Sequence, residues 1–184
     1  MKGQELEETH LIPLIKRGDK GAFTELYRLY YYDLCNYAFS YIKRTDISEE
    51  VVQDVFFNIW KLRKEWNPID KPRAYLYKAV RNKSLDYLKH RKIEMQWEID
   101  YKESNINTDD MAEQGHDRQE LKKAIKSVVE QLPERRKTIF LLSREHGLSY
   151  KEIAEVLELS VKTVEVQIGR TFKAMRDKLS DFLD

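Results

Sequence analysis

The chain has 184 residues, of which 35% are charged and only 6 are Gly and 4 Pro, and its formal net charge is +1. This composition predicts long helices with solvated faces, in one domain or two small ones. A single cysteine, Cys35, excludes an internal disulfide bond and a cysteine-rich metal site. The first residues, MKGQELEETH, are acidic and polar, and no later apolar run could span a membrane. We therefore expect a cytoplasmic protein with no inserted segment and an N-terminal tail over residues 1–18.

Three or four helices are predicted between residues 19 and 92. Asp19 can cap a long first helix, in which apolar and aromatic residues recur at helical spacing. Ser48 can cap a second helix that contains VVQDVFFNIW, whose core stripe includes Phe56 and Ile59. Pro72 suits the first turn of a third helix, PRAYLYKAVRNKSLDYLKHRK. These segments predict a small helical domain over residues 19–92.

Charge is unevenly distributed around the end of that domain. Residues 71–92 hold eight Lys or Arg and one acid, whereas residues 93–117 hold eight acids and one Lys. Such a switch of sign indicates that the partners differ along the chain. Residues 93–117 also lack sustained periodicity, which predicts an acidic flexible linker with a short helix near Met95 to Ile99.

The third helix has the side chains of a surface for single-stranded nucleic acid. Lys78, Asn82, Asp86 and Lys89 follow at steps of four, four and three, so they share one face. Cations neutralise phosphates and aromatic rings such as those of Tyr75 and Tyr77 can stack on unpaired bases. A solvated basic helix with tyrosines in the core is the alternative, and it is favoured for either tyrosine taken alone.

A helix-turn-helix is predicted within the C-terminal segment, residues 118–184. Two amphipathic helices precede it, one near Leu132 and one that starts at Pro133 and stops at Gly147. The motif itself is LSYKEIAEVLELSVKTVEVQIGRTFK, in which Ser149 and Glu152 form a capping box and Ser160 caps the second helix. That helix is apolar on one side and cationic on the other, as in a helix that reads duplex DNA. An ordinary helical bundle with solvated faces is the alternative.

In their order and spacing, these segments resemble the extracytoplasmic-function class of bacterial sigma factors. The segments that carry the resemblance are AFTELYRLYYYDLCNYAFSYI, SEEVVQDVFFNIW, PRAYLYKAVRNKSLDYLKHRK and LPERRKTIFLLSREHGLSYKEIAEVLELSVKTVEVQIGRTFKAMRDKL. The resemblance implies an all-α fold of two small helical domains joined by the acidic linker. Residues 19–92 would correspond to sigma region 2 and residues 118–184 to sigma region 4. The implied function is promoter-specific initiation by core RNA polymerase, usually controlled by an anti-sigma factor.

Three groups of site residues follow from this resemblance. The polymerase-binding candidates lie on the second helix: Gln53, Asp54, Asn58, Trp60 and Lys61. The candidates for holding the downstream (−10) promoter element as it opens lie on the third helix: Tyr75, Lys78, Arg81, Asn82, Lys83, Asp86, Lys89 and Arg91. The candidates for binding the upstream (−35) element as duplex lie in the helix-turn-helix: Lys151, Ser160, Lys162, Thr163, Glu165, Gln167, Arg170 and Lys173.

Other functions remain to be weighed against this one. A transcriptional regulator with the same helix-turn-helix would act as a dimer on a palindromic site without polymerase, and a helical adaptor would bind only protein. The linker could imitate a polyanion in a polymerase channel or serve as a solvated spacer. The sequence has no Gly-rich phosphate loop, metal-ligand cluster or activated nucleophile, so we expect no enzyme, metal, cofactor or small-molecule substrate.

Overall fold

The computed structural model of the chain describes residues 10–66, 72–98 and 124–178. In the second of these ranges, the side chains are described only as far as Lys92. These ranges contain eight helices and no strand, which confirms the all-α prediction. The helices are α1 (residues 10–16), α2 (Lys20–Ile42), α3 (Thr45–Lys61), α4 (Pro72–Glu98), α5 (residues 124–130), α6 (Glu134–Arg144), α7 (Tyr150–Leu157) and α8 (Val161–Lys178). Within the described ranges, no helix is both long enough and apolar enough to cross a membrane.

The chain forms two compact units, one N-terminal and one C-terminal. In the N-terminal unit, α2, α3 and α4 all pack against one another. Its core consists of fully buried side chains from the three helices, including Leu26, Leu34, Val52, Leu76 and Val80. In the C-terminal unit α6 packs against α8, around Ile139, Leu142, Ile153 and Val164.

Most of the predicted helix starts are confirmed by their hydrogen bonds. The Asp19 carboxylate accepts a bond of 3.0 Å from the Ala22 amide at the start of α2. Ser149 and Glu152 form the capping box: the glutamate accepts from the Ser149 amide at 2.7 Å, and the serine hydroxyl accepts from the Glu152 amide at 3.3 Å. The Ser160 hydroxyl accepts from the Thr163 amide at 3.0 Å, so it caps α8. α4 begins at Pro72, as predicted.

The prediction that Ser48 caps α3 is wrong. The helix begins one turn earlier, at Thr45, after an extended Arg44. Ser48 is buried inside the helix, where its hydroxyl donates to the Arg44 carbonyl oxygen at 2.6 Å. Asp46 provides the negative charge in the first turn, and the Arg44 guanidinium lowers the pKa of this carboxyl group. A hydroxyl that can bond within the helix gave a misleading capping signal.

The ends of the N-terminal unit also differ from the prediction. Residues 10–16 are helical rather than part of a tail, because Leu11, Ile12 and Ile15 bury their side chains at helical spacing. Gly18, with a φ of 90°, then turns the chain towards the cap of α2. At the other end, the short helix predicted near Met95 is the continuation of α4 to Glu98. Residues 99–117 of the predicted linker lie outside the described residues.

We expect Glu152→Ala to lower the free energy of unfolding of the C-terminal unit by about 1 kcal/mol, since the Ser149 amide loses its buried acceptor. Urea denaturation of the full chain, followed by far-ultraviolet circular dichroism, measures this loss. Glu130→Ala is the control, because Glu130 is an exposed glutamate of α5. The control should change the free energy by less than about 0.5 kcal/mol. Equal losses in the two variants would contradict a specific capping role.

Candidate nucleic-acid interface

The turn of the helix-turn-helix depends on a residue in the left-handed conformation. α7 ends at Leu157, and Glu158 follows with a φ of 55°. The Leu159 amide then donates to the Ala154 carbonyl oxygen at 2.8 Å, which closes the turn before Ser160 caps α8. Positive φ is uncommon for residues other than Gly, so sequence patterns gave no sign of this geometry. The result is a tight connection that fixes α8 relative to α7.

α8 buries one side and exposes the other, as the sequence predicted. Val164, Ile168 and Thr171 are buried. The predicted duplex-binding residues lie away from this stripe, either exposed or half-buried: Lys151, Ser160, Lys162, Thr163, Glu165, Gln167, Arg170 and Lys173. Val161 continues the helical spacing of this stripe, but it is 36% exposed because it is the first residue of the helix.

Several of these polar residues already contact one another. The hydroxyls of Ser160 and Thr163 share a hydrogen bond of 2.8 Å. Lys162 and Glu165 form an ion pair at 3.8 Å, one turn apart on the outer face. The cap and this bond make Ser160 a residue that positions the start of α8. Lys162, Gln167 and Arg170 then remain as the candidates whose side chains match base edges.

α4 presents the stripe that was predicted for the opened strand. Tyr75, Asn82, Asp86 and Lys89 are exposed and Lys78 is half-buried, at spacings that place them on one side of the helix. The Tyr75 ring lies 5.9 Å from the Trp66 ring, measured between centroids, in an edge-to-face arrangement. This contact holds an exposed aromatic ring at one end of a polar stripe.

Other residues of α4 do not join that stripe. Tyr77, expected among the cations, is fully buried with its ring 5.0 Å from that of Tyr37, so it belongs to the core. Arg81, Lys83 and Arg91 are half-buried and lie off the stripe by helical periodicity. Lys83 donates to the Asp54 carboxylate at 2.6 Å, which joins α4 to α3. Residues predicted to bind two different partners are therefore neighbours.

The outer face of α3 carries four of its five predicted residues as exposed side chains: Gln53, Asp54, Asn58 and Lys61. Trp60 is half-buried, because its ring packs 5.0 Å from the Phe23 ring and lies 4.7 Å from the Arg63 guanidinium. The sequence prediction missed Phe57, whose side chain is 63% exposed between Asp54 and Asn58 along this face. The sequence signal that could have identified Phe57 is its position outside the core stripe of α3.

An aromatic seam between α2 and α3 supports one edge of this face. We use the term for Tyr27, Tyr31 and Phe56: the two tyrosine rings stack at 4.7 Å, and Tyr27 meets Phe56 at 4.9 Å. Burial and the neighbouring Tyr31 raise the pKa of Tyr27 to about 12, and burial also raises the pKa of Tyr31. Both shifts are upward, so the tyrosines of the seam stay uncharged well above neutral pH.

In the part of the chain that the structure describes, no group of His, Cys, Asp or Glu side chains is placed to hold a metal ion. Two family models match the chain. The model "Sigma-70 region 2" covers residues 26–93, and "Sigma-70, region 4" covers residues 122–175. The first match therefore contains α3 and the described stripe of α4, and the second contains the helix-turn-helix.

Individual relatives agree with these matches. The RNA polymerase sigma factor CnrH of Cupriavidus metallidurans is 32% identical, over 91% of this chain and 89% of its own. The ECF RNA polymerase sigma-E factor of Haemophilus influenzae is 26% identical, over 98% of this chain and 99% of its own. A solved structure of CnrH in complex with the cytosolic domain of CnrY has a TM-score of 0.61 at 28% identity, covering 97% of each chain.

A second solved structure, the sigma factor RpoE in complex with the anti-sigma factor NepR from Bartonella quintana, has a TM-score of 0.63. It is 19% identical over 86% of this chain and 96% of RpoE, and at that identity it supports the fold alone. The two region matches and the relatives, which cover nearly the full length, lead to one assignment. The chain belongs to the sigma-70 family of RNA polymerase sigma factors, in its extracytoplasmic-function class.

Proposed function

We propose that this chain binds core RNA polymerase and directs it to initiate transcription at specific promoters. The observation that carries the proposal is the presence of sigma regions 2 and 4, in that order, in one chain. Sigma factors are regulatory proteins, so the catalytic step belongs to the polymerase, and we expect no enzymatic activity of this chain alone. Its place of action would then be the cytoplasm, where polymerase and chromosome are found.

We assign the downstream promoter element to the exposed stripe of α4. To open a duplex without ATP, a protein must bind the exposed bases more strongly than stacking held them. Flipping one base out of the duplex costs a few kcal/mol. Stacking that base on an aromatic side chain such as that of Tyr75 offsets about 1–3 kcal/mol of this cost. Asn82 offers both a donor and an acceptor to a base edge, and Lys78 and Lys89 on the same side of α4 would neutralise phosphates. The family resemblance also implies a base pocket in the loop of residues 67–71, and these residues lie outside the described ranges.

We assign the upstream element to α8, which would enter the major groove as duplex DNA requires. Lys162 and Arg170 can donate to guanine, whereas Gln167 can pair with adenine through both its donor and its acceptor. Glu165 can accept from cytosine once its pairing with Lys162 opens. Lys151 on α7 and Lys173 near the end of α8 would contact phosphates, which position the protein without specifying sequence.

The outer face of α3 is the proposed polymerase surface. An exposed aromatic residue surrounded by polar side chains is typical of the centre of a protein interface. Phe57 has that environment, whereas the Trp60 ring is already engaged by Phe23 and Arg63. We therefore place Phe57 at the centre of the face, with Gln53, Asp54 and Asn58 around it.

The acidic segment that follows α4 in the sequence would act as a tether between the two units. The N-terminal unit then begins with the helix of residues 10–16, not at residue 19, and includes α4 up to Glu98. The acidic side chains of the tether suit either a polyanion mimic in a basic polymerase channel or a solvated spacer. An anti-sigma factor is the further proposed partner, because the family usually has one and the similar CnrH was solved in complex with another protein, the cytosolic domain of CnrY. Such a regulator could act by covering the outer face of α3.

A dimeric helix-turn-helix regulator is not favoured as the function. That class of protein needs only the C-terminal unit, so it leaves the match to sigma region 2 and the stripe of α4 without a role. It would also bind a palindromic site tightly without polymerase.

Transcription by purified core RNA polymerase on a pool of promoter fragments tests the proposed function. We expect specific initiation only when the chain is added, and the selected fragments should share an upstream and a downstream element. Tight, salt-sensitive binding of a palindrome by the chain alone, with no initiation, would instead identify a regulator.

We expect simultaneous replacement of Lys162, Gln167 and Arg170 by Ala to abolish preference for the upstream element. Loss of even one good bidentate base contact costs about 1–3 kcal/mol of discrimination, which corresponds to about 5- to 150-fold. Competitive selection from promoter libraries measures the preference, and pull-down of core polymerase is the control. If polymerase binding fell in parallel, the assignment of separate roles to α8 and α3 would be wrong.

We expect Phe57→Ala to weaken core polymerase binding by about 30-fold or more, since a central aromatic residue of an interface contributes at least about 2 kcal/mol. The thermal midpoint should stay nearly constant because the side chain is 63% exposed. Tyr32→Ala is the matched control, an aromatic side chain of α2 that is 77% exposed. Equal effects of the two substitutions in a fluorescence binding titration would remove Phe57 from the interface.

A further inference from the structure

Gly169 is a glycine in the middle of α8 for which the protein itself provides no reason. A Cβ atom built at this position meets nothing within 4 Å in the described part of the chain. Gly is the least favourable residue in a helix interior apart from Pro, because it loses the most backbone freedom on folding. Neither packing nor a positive φ explains this choice. A glycine that destabilises its helix has an explanation if another molecule must approach the helix backbone closely at that position.

Val166 is the second unusual residue of the same helix. Its side chain is 39% exposed on a face that is otherwise polar and cationic. Residues 166 and 169 are one turn apart and therefore neighbours on the helix surface. Because Cα–Cβ bonds tilt towards the helix N-terminus, a Cβ at position 169 would lean over the surface beside Val166. The absent side chain thus leaves a space next to an exposed isopropyl group.

The charged side chains near this space indicate which kind of molecule occupies it. Lys162, Val166, Gly169 and Lys173 follow at steps of four, three and four, so they form one row along α8. Both lysines are exposed, one at each end of the row, and the Glu165 carboxylate beside the row pairs with Lys162. A cation at each end suits a polyanion rather than an apolar protein surface. The one apolar group that duplex DNA offers in its major groove is the C5-methyl of thymine.

We propose that Val166 and the bare backbone at Gly169 form a contact site for the C5-methyl group of one thymine in the upstream promoter element. This inference rests on the proposed function and adds a specificity determinant to it. Val166 provides the apolar contact, and Gly169 provides the room for α8 to lie close enough to the base edge. The site distinguishes thymine from cytosine and from uracil, which lacks the methyl group.

The first test uses the complete chain bound to core polymerase and a promoter fragment recovered by selection. Each thymine of the upstream element is replaced in turn by deoxyuridine, which removes only the methyl group. We expect one replacement to weaken binding about fourfold, the factor that corresponds to losing the burial of one methyl group. Val166→Ser should bind the two fragments equally at that position.

Val161→Ser is the matched control, because Val161 is also about one-third exposed but lies on the side of the buried stripe of α8. It should keep the wild-type discrimination. An upstream element without thymine, or unchanged discrimination in Val166→Ser, would overturn the proposal.

The second test is Gly169→Ala, for which we expect stability and function to change in opposite directions. The thermal midpoint should rise by about 4 °C, because alanine favours the helix. Binding to the promoter should fall about tenfold or more, and polymerase pull-down should be unchanged. A stabilised variant that binds the promoter as the wild type does would overturn the proposal. If the wild-type chain selects no promoter at all, the proposed function fails too; if it selects promoters without thymine dependence, only this inference fails.

Discussion

Burial of the apolar stripes of α3 and α4 against α2 determines which side chains the N-terminal unit can expose. Phe56 and Ile59 of α3 are buried, as are Leu76 and Tyr77 of α4. Once these positions are fixed, helical periodicity leaves Phe57 on the outside of α3 and Asn82 on the outside of α4. Burying a large apolar side chain stabilises the fold by about 1.5–3 kcal/mol. Rotating α3 or α4 to bury its outer face would expose such side chains to water, so the rotated arrangement would be less stable. The two proposed surfaces are therefore consequences of one core.

In the C-terminal unit, the exposed face of α8 is determined by short helices and by the hydrogen bonds at their ends. α7 has 8 residues, which is too short to be stable without its caps and its packing. The Glu152 side chain satisfies the amide before α7, and Ser160 satisfies one at the start of α8. Between them, the left-handed Glu158 sets the direction of α8. The orientation of α8 thus depends on two polar side chains and one unusual backbone conformation.

Helix starts were predicted correctly where the role of a capping residue had only one physical interpretation. Asp19 had no role other than a cap, and Ser149 with Glu152 formed a reciprocal pair. Ser48 had two readings, since a serine hydroxyl bonds equally well inside a helix, and the structure uses the second. The site was predicted less completely because exposure depends on tertiary packing. Tyr77 is in the core although it lies among cations, and Phe57 is outside although it follows a core phenylalanine.

The charge balance explains why two weak DNA surfaces belong on one chain. The net charge is +1, and Glu165 partly neutralises Lys162 on the reading face. A surface with about two phosphate contacts gains little from counterion release, so each unit alone should hold DNA weakly at physiological salt. Joining the units in one chain makes the second contact intramolecular, so its effective concentration no longer depends on the concentration of the protein in solution. Polymerase bound through the proposed surface of α3 would add a third attachment and set the distance between the other two. Weak individual surfaces then give strong binding only at DNA that carries both elements at the correct spacing.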